Sequence, residues 1–97
     1  MDLSRLKGKR LAMVKDYAYG SLLDAVEGIT RVYGNDDVAN LKMLINNEAD
    51  YTLVDDLFIQ HAKKEQPDKC AHFLEFGTKP SLYAGNRRRV WYPFSKH

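Results

Sequence analysis

Short apolar runs alternate with amphipathic segments along this chain, and this alternation restricts its fold more than any other feature. The runs are rich in Val, Leu, Ile and aromatic residues and are short, which is typical of buried strands. The segments between them carry apolar residues at helical spacing, with capping residues, Gly or Pro at their ends. The sequence therefore predicts strands at 10–15, 29–33, 51–54, 72–76 and 81–84, and helices at 19–27, 36–47 and 57–65.

The order of these elements predicts an α/β fold. Strands joined by single helices run parallel, because each helix returns the chain along the sheet. Such crossovers are nearly always right-handed, so we expect helices on both faces of the sheet. The prediction is a single three-layer lobe over residues 3–85, with a mostly parallel, twisted sheet of about five strands. Residues 86–97 break the pattern and are expected to form an irregular basic and aromatic tail.

Composition limits the class of protein. With 44% hydrophobic and 29% charged residues, the chain has the balance of an ordinary globular domain. No stretch is long and apolar enough to span a membrane, and residues 1–10 lack the apolar core of a signal peptide. We therefore expect either a cytoplasmic chain or one whose leader has been removed. Cys70 is the one cysteine, so an intramolecular disulfide is excluded.

Charge is distributed unevenly along the chain. Lys and Arg predominate in residues 1–15 and from Lys79 onward, whereas residues 16–78 are acidic. Two interpretations stay open: the basic ends meet the acidic middle in the fold or in a partner, or the charges are simply solvated.

The remaining clusters of reactive residues are weak. Arg87-Arg88-Arg89 precedes two aromatic residues, as in single-strand nucleic-acid binders, but one cluster at a net charge of +2 favours a solvated tail. Cys70 and His72 are too few for a metal site, and nothing marks a catalytic base beside Cys70. No glycine-rich phosphate loop is present. We therefore expect no enzymatic activity, metal, cofactor or nucleic-acid partner.

Two loops at the predicted carboxyl edge of the sheet are candidate binding sites, because ligands of open parallel sheets bind where strands lead into helices. N–H groups in the first loop, at the helix start, are suited to a carboxylate. The candidate contacts in this loop are Asp16, Tyr17, Ala18 and Tyr19. In the second loop, Asp55 is suited to an ammonium group. Two interpretations of Asp55 stay open with equal weight, a helix cap and a ligand contact, and the two roles are compatible. For Tyr17 and Tyr19, an ordinary half-buried aromatic residue is as good an interpretation as a ligand contact.

Three segments share their order and spacing with a known family. They are LKGKRLAMVK at 6–15, DVANLKML at 37–44 and EADYTLVD at 48–55. Together with residues 73–83, they resemble the second lobe of family 3 extracellular solute-binding proteins, the periplasmic amino-acid-binding proteins of ABC importers. The resemblance covers residues 3–85 and implies the type 2 periplasmic binding fold.

The resemblance implies roles for particular residues. In the family, the aspartate that ends the third strand contacts the ligand's ammonium group, and Asp55 is at the matching position. The family's first loop reads Gly then Ser or Thr and binds the ligand carboxylate, whereas Asp16 and Tyr17 are found here. This departure disfavours an ordinary α-amino acid. It favours a small polar or cationic solute, or a solute that stacks on an aromatic ring. The alternative is that this chain has lost the ability to bind a solute.

Partners follow from the same resemblance. Family members have two lobes and deliver their solute to a membrane permease, so a lone lobe offers half a site and binds weakly. The chain begins after the strand that enters this lobe from its partner, which is expected to leave an open place in the sheet. An open edge favours a homodimer or strand exchange. The alternatives are an interaction module without ligand and the sensor-input lobe of a signalling receptor.

Overall fold

The computed structural model describes residues 3–15, 27–76 and 87–94. The chain starts with a 3-10 helix, Leu3–Leu6. The elements that follow it are β1 (Arg10–Val14), β2 (Thr30–Gly34), α1 (Asp37–Ile45), β3 (Tyr51–Asp55), α2 (Asp56–Glu65), α3 (Pro67–Cys70), β4 (Phe73–Glu75) and β5 (Arg88–Pro93). The strands and helices predicted within the described ranges are confirmed with small shifts at their ends. Residues 19–26 of the helix predicted at 19–27 and all of the strand predicted at 81–84 lie outside the described residues.

The five strands form one mixed sheet in the order β2-β1-β3-β5-β4. β1 is parallel to β2 and to β3, whereas β5 is antiparallel to β3 and to β4. The expectation of a mostly parallel sheet is therefore wrong. The physical reason is that β5, which was not predicted as a strand, lies between β3 and β4 and runs antiparallel to both of them.

β5 also corrects the expectation of an irregular tail. Val90 and Trp91 are both buried, and they belong to clusters on opposite faces of the sheet. The N–H of Phe76 donates to the carbonyl of Val90 at 2.7 Å, and the N–H of Asp56 donates to the carbonyl of Arg87 at 3.0 Å. The described strands therefore leave no gap between β3 and β4, because β5 fills that place.

The core consists of two clusters, one on each face of the sheet. On one face, helices α1 and α2 cover the strands. This cluster contains Leu41, Leu44, Val54, Ile59, Ala62, Cys70, Phe73 and Trp91. The cluster on the other face contains Leu6, Leu11, Met13, Ile29, Tyr51, Leu53, Phe76 and Val90. Within the described residues, the second face is covered by the 3-10 helix and not by an α-helix, so the three-layer arrangement stays a prediction.

An ion pair joins the starts of β1 and β3, at the edge of the sheet where the parallel strands begin. Arg10 Nη2 lies 3.1 Å from Asp50 Oδ1, and the Arg10 backbone N–H donates to Asp50 Oδ2 at 2.8 Å. The Arg10 side chain holds the pKa of Asp50 below its ordinary value, although partial burial opposes this. Here a basic end of the chain meets the acidic middle within the fold.

Candidate functional site

The carboxyl ends of β2, β1 and β3 meet at one edge of the sheet, where α1 and α2 begin. A cavity of about 410 Å³ lies at this edge. Its wall is formed by Val14, Asn35, Asp36, Asp37, Val38, Phe58 and Arg88. The cavity is shallow and open to solvent, and its lining mixes apolar with charged side chains. We refer to this space as the carboxyl-edge cavity.

The start of α1 places two aspartates at the cavity. Asp36 caps the helix, because its Oδ1 accepts the N–H of Ala39 at 2.9 Å. Asp37 Oδ1 accepts a hydrogen bond from Arg88 Nη1 at 2.7 Å, and each of these side chains is 16% exposed. Asp37 Oδ2 also accepts the N–H of Asp55 at 3.4 Å. Asp37 therefore joins α1, β3 and β5 at one point.

Asp55 ends β3 and caps α2. Its Oδ1 accepts the N–H of Leu57 at 2.8 Å and that of Phe58 at 3.4 Å. Its Oδ2 accepts Arg87 Nη2 at 2.9 Å, while Arg87 Nε lies 3.5 Å from Oδ1. The cap interpretation is confirmed, and the role in ligand binding stays a prediction. The cation that contacts this carboxylate in the structure is the guanidinium of Arg87.

The charge state of Asp55 follows from these contacts. Partial burial raises its pKa, but the hydrogen bond from Arg87 and those from the N–H groups of Leu57 and Phe58 together outweigh burial. The pKa of Asp55 therefore lies below its ordinary value. The carboxylate is ionised at neutral pH and is suited to a cation.

Sequence reasoning anticipated one of the residues at this edge and missed three others. Asp55 lies where it was expected, but Asp37, Arg87 and Arg88 were not singled out as site residues. The signal that points to them is the uneven charge, because two basic residues of the C-terminal segment pair with two aspartates of the acidic middle. The four residues predicted for the first loop, Asp16, Tyr17, Ala18 and Tyr19, lie outside the described residues.

Other groups singled out in the sequence are placed as follows. The Cys70 thiol is buried, which raises its pKa, and the ring of His72 packs on Phe73 with centroids 4.6 Å apart. In the ranges that the structure describes, no group of three or more His, Cys, Asp or Glu side chains is placed to hold a metal ion. Helices in these ranges are also too short and polar to cross a membrane.

Comparisons with protein-family models, with curated proteins and with solved structures find no match for this chain. The resemblance to solute-binding proteins therefore rests on the sequence segments alone. What it implies about function is a proposal, to be argued from the geometry of the carboxyl-edge cavity.

Proposed function

We propose that this chain is a non-catalytic solute-binding lobe of the kind found in ABC-importer binding proteins, and that it takes a small cationic or zwitterionic, amino-acid-like solute. The observation that carries the proposal is the carboxyl-edge cavity beside Asp37 and Asp55. Both carboxylates already accept a guanidinium group, at 2.7 Å and 2.9 Å. They are thus positioned and charged to recognise a cation.

The lining of the cavity indicates how such a solute is held. Asp37 and Arg88 bring a negative and a positive charge to the wall of the cavity. Asp55 lies next to this wall, with its N–H bound to Asp37 Oδ2, and supplies the charge-assisted hydrogen bond to the ammonium group. Val14, Val38 and Phe58 provide apolar contact for the rest of the molecule. A single lobe encloses the solute on one side only, so its affinity is expected to be low.

The proposal is tested by an NMR titration of the ¹⁵N-labelled chain with a panel of amino acids and polyamines. Saturable shifts are expected at Val14, Asn35 to Val38, and Asp55 to Phe58. The amides of Asp50 and Tyr51, at the opposite edge of the sheet, serve as an internal control. A flat response at the carboxyl edge across the whole panel contradicts the proposal.

A second candidate is an interaction module without a ligand. Two observations favour it. The guanidinium of Arg87 is bound to the Asp55 carboxylate. The apolar side chains of Val38 and Leu57 are 48% and 60% exposed at the same edge. The sequence suggested self-association through an open edge of the sheet. Among the described strands, β2 and β4 lie at the two edges. Light scattering at micromolar concentration tests it. A stable dimer with a flat solute titration supports this function, and a monomer that binds solute excludes it.

A further inference from the structure

A second cavity of about 420 Å³ lies between helices α1 and α2, and we refer to it as the helix groove. It meets the carboxyl-edge cavity at Val38 and Phe58, which line both spaces. From there it continues to the residues that end the two helices, Asn46 and Gln66. The helix groove is more enclosed than the carboxyl-edge cavity, and Asp55 does not line it. It is therefore a separate candidate site.

Each of the two helices turns one stripe of side chains toward the helix groove. Within a stripe, the residues follow the spacing i, i+3, i+4 and i+7, which places them on one side of a helix. The stripes consist of Val38, Leu41, Lys42 and Ile45 on α1, and of Phe58, His61, Ala62 and Glu65 on α2.

The floor of the helix groove is apolar. Leu41 and Ala62 are buried, and Ile45 and Phe58 are half-buried and pack against the same core cluster. Ala62 has the smallest of these side chains, so a larger side chain at this position would occupy part of the groove. An alkyl chain that lies on this floor leaves water for an apolar surface, which favours its binding.

Charged side chains form the rim of the helix groove. Lys42 and Lys69 bring two positive charges and Glu65 brings one negative charge, and all three residues are exposed. None of the three takes part in the ion pairs among the described residues. His61 on the same wall adds a ring N–H that can donate a hydrogen bond. The surplus of positive charge favours an anion over a cation.

We propose that the helix groove binds a small amphipathic carboxylate, with its alkyl chain on the apolar floor and its carboxylate at the lysines of the rim. This site goes beyond the proposed function, because it lies between the helices and takes an anion. The chain supplies most of the affinity. In a groove that is open on one side, each buried CH₂ is expected to strengthen binding about two- to four-fold. Each exposed lysine is expected to contribute about two- to five-fold.

The inference is tested with octanoate as the ligand and NMR of the ¹⁵N-labelled full chain as the readout. Saturable shifts are expected at the amides of Leu41, Lys42 and Ala62. Hexanoate, which is two CH₂ groups shorter, is expected to bind about four- to sixteen-fold more weakly. Acetate, which has the charge without the chain, is expected to give no saturable shift. Octylammonium, which has the chain with the opposite charge, is expected to bind more weakly than octanoate.

Four variants separate the contributions of the rim and the floor. Lys42→Gln and Lys69→Gln are each expected to raise the Kd for octanoate about two- to five-fold. Lys64→Gln is the matched control and should leave the Kd unchanged. Lys64 is exposed and in the last turn of α2, as Lys42 is in the last turn of α1, but it does not line the groove. Ala62→Leu fills the groove and is expected to raise the Kd at least about ten-fold. Urea unfolding shows whether this variant folds, and the lysine variants decide if it does not.

Several results would overturn the inference. They are an equal Kd for octanoate in the parent and all three lysine variants, equal affinities for octanoate and octylammonium, and octanoate shifts scattered over the whole chain. Broadening of the groove amides together with a doubled mass in light scattering also overturns it, because a second copy of the chain then covers the groove. The proposed function is tested by different ligands at different amides, those of Asn35 to Asp37 and of Asp55. A failure of octanoate to bind therefore leaves that function standing.

Discussion

Gly34 ends β2 at a place where the fold has no room for a side chain. A Cβ added there would overlap Oδ1 of Asn40 and would lie 3.0 Å from Met43 Cε and 3.1 Å from Ala39 Cβ. The φ angle of Gly34 is not positive, so the requirement for glycine is steric and not conformational. The substitution Gly34→Ala therefore tests how tightly α1 packs on the end of β2.

The magnitude depends on which neighbour can yield. Met43 Cε is the end of a flexible side chain and can move, but Asn40 is fully buried. Forcing a methyl group into a packed site of this kind costs about 1–3 kcal/mol of unfolding free energy. Asn40→Ala removes the overlapping atom, so Gly34→Ala is expected to cost less than about 0.5 kcal/mol in that background. The coupling energy of the pair is then about 0.5–3 kcal/mol.

The measurement is urea unfolding of the parent, the two single variants and the double variant. Trp91 is the one tryptophan of the chain and is buried, so its fluorescence reports loss of the core. Asn40→Ala alone is informative too, because neither polar atom of the Asn40 amide makes a hydrogen bond within the described part of the chain. Its removal relieves an unsatisfied amide, which offsets part of the lost packing. Two results would refute this steric explanation. One is an unfolding free energy of Gly34→Ala within about 0.5 kcal/mol of the parent, which is the usual error of such cycles. The other is an equal cost of Gly34→Ala in both backgrounds.

Three further predictions concern the ion pairs and β5. Below a pH of about 4, the unfolding free energy is expected to fall. The pKa of Asp50 is lowered in the folded state, so its pairing with Arg10 is lost as the pH drops through this lowered pKa. In an acid titration, the unfolding free energy of Asp50→Asn should fall less steeply than that of the parent. Arg88→Ala should destabilise by about 1.5–3 kcal/mol, since it leaves the mostly buried Asp37 without this charged hydrogen bond, as urea unfolding would show. Val90→Asp should abolish cooperative unfolding, because it puts a charge in the buried cluster on one face of the sheet; an unchanged transition would show that β5 is not an interior strand.

Most of the fold follows from local pattern, but β5 does not. The apolar runs at 10–15 and 51–54 report strands buried on both faces, the periodicity of 36–47 and 57–65 reports helices buried on one face, and the structure places them accordingly. Residues 88–93 mix arginines with aromatic residues and end in Pro93, which is typical of an exposed tail. Their burial depends on partners distant in sequence, Leu53 and Val54 of β3, which no local window contains.

In the candidate site too, local sequence predicts one residue but not its partner. Asp55 was predictable, because an acidic residue between a strand and a helix has two local reasons to be there, the cap and the carboxyl edge of the sheet. Its partner Arg87 was not, since their pairing depends on where β5 lies in the sheet. The acidic middle and the basic C-terminal segment carried the one available signal, and the structure pairs them at Asp55 and at Asp37.

The position of β5 has a consequence for biosynthesis. Among the described strands, β4 has β5 as its only neighbour, so β4 cannot join the sheet until residues 88–93 have left the ribosome. Until then β3 carries an unpaired side rich in apolar residues, which is a template for pairing with another chain. Docking of β4 is therefore expected only after residues 88–93 have emerged, and a nascent chain stalled before residue 88 is expected to depend on chaperones.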